Sequence, residues 1–178
     1  MTLKIATRSS KLALAQVDEF VSEYNISDYK IIKIKTEGDV KSSKGETLFD
    51  KEHFVTDIQK SILSGDADIA VHSAKDTPAK KTNGIERNFT ISRTSKDILI
   101  FRDNNNFDSS MKIGTSSLRR KLQAFHFLKS TNISGINGNV DTRLEKLYRG
   151  DFDCIILAKA GLERLRLLEE LNYKEMDW

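Results

Sequence analysis

The chain has 178 residues, 38% hydrophobic and 31% charged, and its 29 basic and 26 acidic side chains give a net charge of +3. This length allows one domain or two small ones with a buried core, and so small a basic surplus does not indicate a nucleic-acid or membrane protein. The single cysteine, Cys154, excludes an internal disulfide and is typical of a reducing compartment. There is no signal-peptide run and no stretch near the ~20 apolar residues of a membrane span. We therefore expect a soluble cytoplasmic protein.

Strands and helices alternate along the first half of the chain. The segments "LKIAT", "KIIKIKT" and "ADIAVHS" predict strands, and "KLALAQVDEFVSEY" and "HFVTDIQKSIL" have the apolar spacing of helices. "NFTISRTSKDILIF" indicates a long or broken strand, followed by a loop rich in Asn, Asp and Ser.

The same alternation restarts after that loop. "MKIGTSS" precedes a predicted helix, "LRRKLQAFHFL", with Leu118, Leu122 and Phe125 on one face. A short helix "VDTRLEKLY", the very apolar strand "DCIILAKA" and a last helix "GLERLRLLEEL" complete the pattern. Such alternation is typical of an α/β protein with largely parallel sheets. We expect two lobes, 1–93 and 94–178, with a cleft between them.

Two segments repeat one arrangement, a strand followed by Thr, a serine pair and a helix. They are "IATRSSKLALAQ", with Ser9 and Ser10, and "IGTSSLRRKLQ", with Ser116 and Ser117. A helix N-terminus exposes unpaired N–H groups and a positive dipole end, so it can hold an anion. Simple N-capping by the serines explains the same pattern.

Arginines beside these serines favour an anion. Arg8 precedes the first helix, and Arg119 and Arg120 lie in the first turn of the second. Cations there oppose the helix dipole, whereas a docked anion would stabilise them. Arginine forks pair bidentately with carboxylate or phosphate, so we expect a multiply anionic ligand.

Other ionisable residues support weaker interpretations. "IAVHSAKDTP" ends a strand in His72, Lys75 and Asp76, and ligands commonly bind at strand ends in α/β folds. Arg143 is another candidate for anion binding, or it pairs with a neighbouring carboxylate, either Asp141 or Glu145. We expect structural roles for the histidines (His53, His72 and His126), and the spacing of residues predicts neither a metal site nor a nucleotide-binding loop.

Taken together, "IATRSSKLALAQ", "VHSAKDTP", "IGTSSLRRKLQ", "GNVDTRLEKL" and "DCIILAKAGLERL" resemble successive signature segments of porphobilinogen deaminase, also called hydroxymethylbilane synthase. The resemblance implies two periplasmic-binding-protein-like lobes around an active site. It also implies an enzyme that joins four porphobilinogen units into hydroxymethylbilane and releases ammonia, on the pathway to haem. The resemblance further implies that the product is built, one pyrrole unit at a time, on a dipyrromethane cofactor that a cysteine of a third domain holds covalently.

The resemblance assigns roles to matching positions. Asp76 corresponds to the catalytic aspartate, which can stabilise positive charge as ammonia leaves. The positions that would bind the carboxylates of cofactor and substrate are Arg8, Ser10, Lys75, Ser117, Arg119, Arg120, Arg143 and Arg164.

This sequence also departs from the family pattern. Asn137, in "NGNV", stands where the family has arginine, and the loop "KSSKGETLFDKEHF" is altered. Cys154 lies inside an apolar strand, so we do not expect it to hold the cofactor. The third domain is absent from these 178 residues, and a separate polypeptide could supply it. The alternative to an enzyme is a non-catalytic two-lobed module that binds polycarboxylates. Nucleic-acid binding is disfavoured because no aromatic platform accompanies the basic residues.

Overall fold

The computed structural model describes residues 2–43, 54–89, 93–103 and 106–178. Its α/β elements fall into two units, Met1–Ser92 and Arg93–Trp178, so the predicted α/β class is confirmed. Within the described residues, no helix combines the length and the apolar character needed to cross a membrane.

The first unit is built on a three-stranded sheet whose strand pairs are all parallel, in the order β2-β1-β3. Its elements are β1 (Leu3–Arg8), α1 (Lys11–Glu23), β2 (Tyr29–Ile34), α2 (Glu37–Ser43), α3 (Thr56–Leu63) and β3 (Ile69–Ala70). Ile5 of β1 packs against Val17 of α1 on one face, and Ala6 packs against Ile58 of α3 on the other. Since β1 is covered on both faces, it has the buried apolar sequence of a central parallel strand.

The second unit has a five-stranded sheet in the order β6-β5-β7-β4-β8. Its elements are β4 (Asp97–Phe101), β5 (Ile113–Gly114), α4 (Leu118–Leu128), β6 (Ile133–Ser134), α5 (Val140–Tyr148), β7 (Cys154–Ala158), α6 (Lys159–Arg164) and β8 (Tyr173–Met176). β5 pairs in parallel with β6 and β7, but β4 runs antiparallel to both β7 and β8.

The prediction of mainly parallel sheets is confirmed, since four of the six strand pairs in the described residues are parallel, although this second sheet is mixed. Strand β8 was not predicted from the sequence, since "YKEM" is short and half polar. It forms because β4 is buried along its whole length and needs a hydrogen-bonding neighbour on the side away from β7.

The apolar face of α4 does not pack against the sheet. Leu118, Leu122 and Phe125 are 72%, 60% and 59% exposed, whereas Ala124 is fully buried. The helix is turned so that Arg120 and Ala124 face the sheet. Arg120 reaches Asp97 at the start of β4, and this polar contact fixes a rotation that apolar periodicity alone does not reveal.

The predicted last helix is also shorter than expected, since α6 ends at Arg164. Arg166 adopts a left-handed conformation with φ of 56°. Its N–H donates to the carbonyl of Glu163, and that of Leu167 donates to Leu162, both at 3.0 Å. This is a Schellman motif, which ends a helix by satisfying its last carbonyls.

Candidate anion-binding and catalytic sites

The carboxyl ends of β1 and β3 meet at one edge of the first sheet, because the two strands are parallel neighbours. Thr7, at the end of β1, donates its hydroxyl to the carbonyl of Val71 at 2.9 Å. This bond aligns Arg8 with the residues that follow β3. Crevices at such strand ends are common ligand sites in α/β proteins.

The residues after β3 form a single 3₁₀ turn, Ala74–Asp76. The amide of Asp76 donates to the carbonyl of Ser73 at 3.1 Å, and Gln16 of α1 donates to the Ser73 hydroxyl at 2.8 Å. Lys75 on this turn is exposed and Asp76 is half-buried. The turn therefore presents an ammonium group and a carboxylate side by side at the strand ends.

His72 lies at the base of this turn and contacts polar groups of the turn itself. Its Nδ1 lies 3.3 Å from the Thr77 hydroxyl and 3.4 Å from the Ser73 carbonyl oxygen. Burial lowers the pKa of His72 below its usual value, against an opposing influence from Asp76. These contacts agree with the structural role expected for His72. His126 is exposed on α4 and packs edge-on against Phe127, and His53 lies outside the described residues.

Arg8 is held by two neighbours that the sequence did not reveal. Its guanidinium pairs with the carboxylate of Asp39 in α2 and lies 4.2 Å from the ring centroid of Phe54. Burial alone would raise the pKa of Asp39, but hydrogen bonds and charge from Arg8, with hydrogen bonds from Thr36, bring it below its usual value. Arg8 is therefore fixed in orientation, and only 19% of its side chain is exposed.

Both predicted serines cap their helices. Ser10 accepts a hydrogen bond from the Ala13 amide at 3.3 Å, and Ser117 accepts one from the Arg120 amide at 3.5 Å. Each hydroxyl still has its own proton, so capping leaves it able to donate to a ligand.

The start of β4 brings a carboxylate to the N-terminus of α4. Asp97 pairs with Ala158 at the carboxyl end of the antiparallel strand β7, so it lies at the edge where the parallel strands β5 and β7 end. It accepts hydrogen bonds from Arg119 Nη2 at 2.8 Å and from Arg120 Nε at 3.0 Å. Trp178 Nε1 approaches the same carboxylate at 3.4 Å.

Asp97 is ionised in this setting. Burial alone would raise its pKa, but hydrogen bonds and charge from Arg120, then from Arg119, bring it below its usual value. The Asp97 side chain is 2% exposed, against 12% for Arg120 and 57% for Arg119. The arginine pair therefore has an internal counter-ion, and Arg119 is the member that reaches solvent.

Arg143, in α5, has a different environment. Its Nε donates to the carbonyl of Gly138 at 2.8 Å, and none of the described carboxylates forms an ion pair with it. Burial and the nearby charge of Arg120 lower its pKa to about 10, so it is still charged at neutral pH. Neither Asp141 nor Glu145 neutralises it, so Arg143 lies near the positive charge of Arg120 without a described carboxylate of its own.

The contacts of Arg164 and Asn137 say less about ligand binding. Arg164 is the last residue of α6 and is half-buried. The Asn137 side-chain oxygen accepts a hydrogen bond from Ser116 at 3.3 Å, and its backbone oxygen accepts one from Lys146 at 3.1 Å. Asn137 thus connects the ends of β5 and β6.

Sequence analysis missed Asp39 and Asp97, the two carboxylates that hold the predicted arginines. Asp97 carried a usable signal, because a charged residue directly before the apolar run "ILIF" marks the end of a buried strand. Asp39 carried none, since α2 has no apolar periodicity. No metal-binding group of His, Cys, Asp or Glu occurs within the described residues.

The predicted burial of Cys154 inside an apolar strand is confirmed. The residue is fully buried in β7, and burial, with a smaller contribution from Asp153, raises the pKa of its thiol to about 12. A thiol in this state is a poor nucleophile and a poor attachment point for a cofactor.

These residues define an α/β protein whose strand ends gather arginines suited to a multiply anionic ligand. A family model described as "Porphobilinogen deaminase, dipyromethane cofactor binding domain" matches residues 3–177. The chain belongs to the porphobilinogen deaminase family. The buried, carboxylate-free guanidinium of Arg143 beside Arg120 is a suitable place for a carboxylate of dipyrromethane, whereas Cys154 is unsuitable for its covalent attachment.

Individual relatives carry the same family name. The probable porphobilinogen deaminase of Ignicoccus hospitalis is 38% identical over 190 residues, covering 100% of this chain and 62% of that relative. The porphobilinogen deaminase of Campylobacter curvus is 40% identical over 185 residues, covering 96% and 58%. The chain therefore spans between 58% and 62% of the length of these two curated relatives.

The solved structures that match the chain have much lower sequence identity than these relatives. The probable amino-acid ABC transporter extracellular-binding protein ytmK of Bacillus subtilis has 12% identity and a TM-score of 0.48, covering 98% of this chain and 77% of that one. The Bordetella pertussis BvgS VFT2 domain has 13% identity and a TM-score of 0.49, covering 99% and 76%.

Proposed function

We propose that the protein is a cytoplasmic transferase that joins porphobilinogen units into hydroxymethylbilane and releases one ammonia for each unit joined. Family membership over residues 3–177 supports this reaction class. The observation that carries the proposal is a cluster of three arginines, in which Arg119 and Arg120 share the carboxylate of Asp97 and Arg143, near Arg120, pairs with no described carboxylate. Such a cluster has excess positive charge, which a ligand with several carboxylates would neutralise.

Asp76 is the proposed catalytic residue. When the carbon–nitrogen bond of the aminomethyl group breaks, ammonia departs and positive charge spreads over the pyrrole ring. A carboxylate near the pyrrole N–H stabilises that charge without first having to reorganise. It can also accept the proton released when the new carbon–carbon bond restores the aromatic ring. The 3₁₀ turn holds the Asp76 carboxylate at a strand end, where a substrate could reach it.

The arginines, Lys75 and the two capping serines would bind carboxylates and thereby orient the rings. Arg8, held by Asp39 and Phe54, provides a fixed donor near the end of β1. Arg119 is exposed enough to meet an incoming ligand, and Arg143 provides a buried charge. Arg164 would contribute from the end of α6. Dipyrromethane, when bound, supplies the pyrrole carbon to which the first unit is joined.

The covalent link to dipyrromethane needs a thiol other than Cys154, because burial keeps that thiol protonated. We propose that it lies outside these 178 residues, either on a further segment or on a separate polypeptide. Adding the further segment that the longer relatives possess should therefore increase turnover without changing which residues of this chain bind substrate.

The test compares wild type, Asp76→Asn and a control, Asp66→Asn, for ammonia and bilane release from porphobilinogen. Asp66 is an exposed carboxylate that accepts a hydrogen bond from Ser64. We expect Asp76→Asn to reduce turnover by about a hundredfold or more, with porphobilinogen affinity retained, and Asp66→Asn to behave as wild type. Binding without ammonia release by the wild-type protein, even with the added segment, would contradict the enzymatic proposal.

A further inference from the structure

Arg87 contacts the segment that leaves the turn bearing Lys75 and Asp76. The approach to this turn is well fixed: Val71 donates its amide to Ala6 at 3.0 Å, and Gln16 donates to Ser73. The segment that follows the turn is not fixed by secondary structure, because residues 79–89 contain neither helix nor strand. Some other contact must determine where the chain goes after Asp76.

That contact is a fork of two hydrogen bonds from one guanidinium. Arg87 Nη1 donates to the carbonyl of Pro78 and Nη2 donates to the carbonyl of Lys80, each at 2.6 Å. These carbonyls are two residues apart, and the first belongs to the second residue after Asp76. A planar guanidinium can bind both at once, which a lysine ammonium with its single nitrogen matches poorly.

The rest of the Arg87 side chain shows that these two bonds hold it in place. Its Nε is buried without a hydrogen-bond partner, and no described carboxylate pairs with it. Leaving a buried donor unsatisfied is costly, so the side chain would not adopt this position without a compensating interaction. Its charge also acts on His72 at the base of the turn, which places the guanidinium close to the proposed catalytic residues.

We propose that Arg87 is a positioning residue that fixes the exit of the Ala74–Asp76 turn and so keeps Asp76 and Lys75 oriented toward the substrate. The proposal rests on the proposed function, and it adds a residue that neither the sequence motifs nor the family resemblance indicated. Arg87 acts through the backbone of residues 78–80 and touches no reacting atom.

The experiment compares wild type with Arg87→Ala, Arg87→Lys and Lys80→Ala. Lys80→Ala is the matched control, because it removes an exposed positive charge from the same loop but keeps the carbonyl that Arg87 binds. With the added segment present, we expect Arg87→Ala to lower kcat about tenfold with KM and the unfolding temperature little changed, because the loss of both hydrogen bonds of the fork affects Asp76 only indirectly. Lys80→Ala should match wild type. Arg87→Lys should recover only part of the loss, since it restores the charge without the fork.

Hydrogen exchange of the Asp76 and Thr77 amides, both bonded within the turn, provides a readout that does not need turnover. These amides should exchange about tenfold faster in Arg87→Ala, while those of β1 do not change. A wild-type protein without turnover even with the added segment would contradict the proposed function, and the exchange rates would then decide the role of Arg87. Unchanged exchange in Arg87→Ala, or full recovery of kcat in Arg87→Lys, would overturn the positioning role.

Discussion

Asp97 on β4 and Arg120 on α4 form a nearly buried ion pair, with side chains 2% and 12% exposed. The contact determines which side of α4 faces the sheet and at the same time fixes one arginine of the proposed anion site. Arg119, one residue earlier, shares the same carboxylate but is 57% exposed. One strand residue thus links the packing of the second unit to its proposed chemistry.

Replacing Asp97 by Asn should destabilise the protein by about 3 kcal/mol, because breaking a buried pair leaves uncompensated charge. Its pKa is lower in the folded protein than in the unfolded chain. Its stabilising contribution is therefore full above the ordinary carboxyl value near 4 and is lost as pH falls through the lower folded-state value. Urea unfolding between pH 2 and 7 should show a weaker acid dependence in Asp97→Asn.

The control for this experiment is Asp151→Asn, which removes a surface carboxylate paired with Arg149. An exposed pair contributes little to stability, so this variant should unfold almost as wild type does. Equal destabilisation by the two substitutions would show that the Asp97 cluster has no special role in the fold.

Arg143 should contribute to ligand binding but not to the stability of the fold, unlike Asp97. Its guanidinium is desolvated, lies near Arg120 and has a carbonyl as its described partner. Replacing it by Met should leave the free energy of unfolding unchanged or raise it by about 1 kcal/mol, because a poorly compensated charge is removed. Affinity for porphobilinogen, measured by calorimetry, should fall about tenfold.

Arg149→Met is the matched control, since Arg149 lies just after the same helix but pairs with Asp151 on the surface. It should change neither stability nor affinity appreciably. If Arg143→Met were strongly destabilised, the guanidinium would have a structural role and the argument for a carboxylate at that position would fail.

The sequence predicted most elements of the fold, including β1, α1, α5 and β7, because their apolar patterns are clear. It singled out Arg8, Arg119 and Arg120 through an electrostatic anomaly, namely cations at helix starts, and their role in binding an anion stays a prediction. It missed Asp39, which has no sequence signal, and Asp97, whose position directly before the apolar run "ILIF" was not interpreted. The orientation of α4 could not be predicted for the same reason, because the contact between Arg120 and Asp97 determines which side faces the sheet and the apolar face does not.

The orientation of α4 predicts how substitutions on this helix change the free energy of unfolding. Leu122→Gln and Phe125→Gln should each change the free energy of unfolding by less than about 0.5 kcal/mol, because both side chains are mostly exposed. Ala124→Gln, on the buried face, should destabilise by about 2 kcal/mol or more, since a larger polar side chain has no space there. Thermal and urea unfolding compare the three. Strong destabilisation by Leu122→Gln would contradict this orientation of α4.

The last prediction concerns Cys154, whose thiol is fully buried between β4 and β5. Its folded-state pKa of about 12 exceeds the ordinary thiol value near 8.5. The thiol should therefore resist alkylation by iodoacetamide at pH 8 in the native protein and react fully in urea. Because the folded state retains this proton longer, the protein should lose stability as pH rises above about 9, and Cys154→Ala should weaken that dependence.

The same burial predicts the outcome of incubating the 178-residue polypeptide with porphobilinogen. Intact-mass spectrometry should show the mass of the bare polypeptide, because a protonated thiol inside a strand cannot form the covalent link. Cys154→Ala provides the comparison and should give the same result, shifted only by the substitution. An added mass of two pyrrole units on wild type that is absent from Cys154→Ala would show that β7 opens enough to expose this thiol, and would overturn both its assignment as inert and the need for an external cysteine.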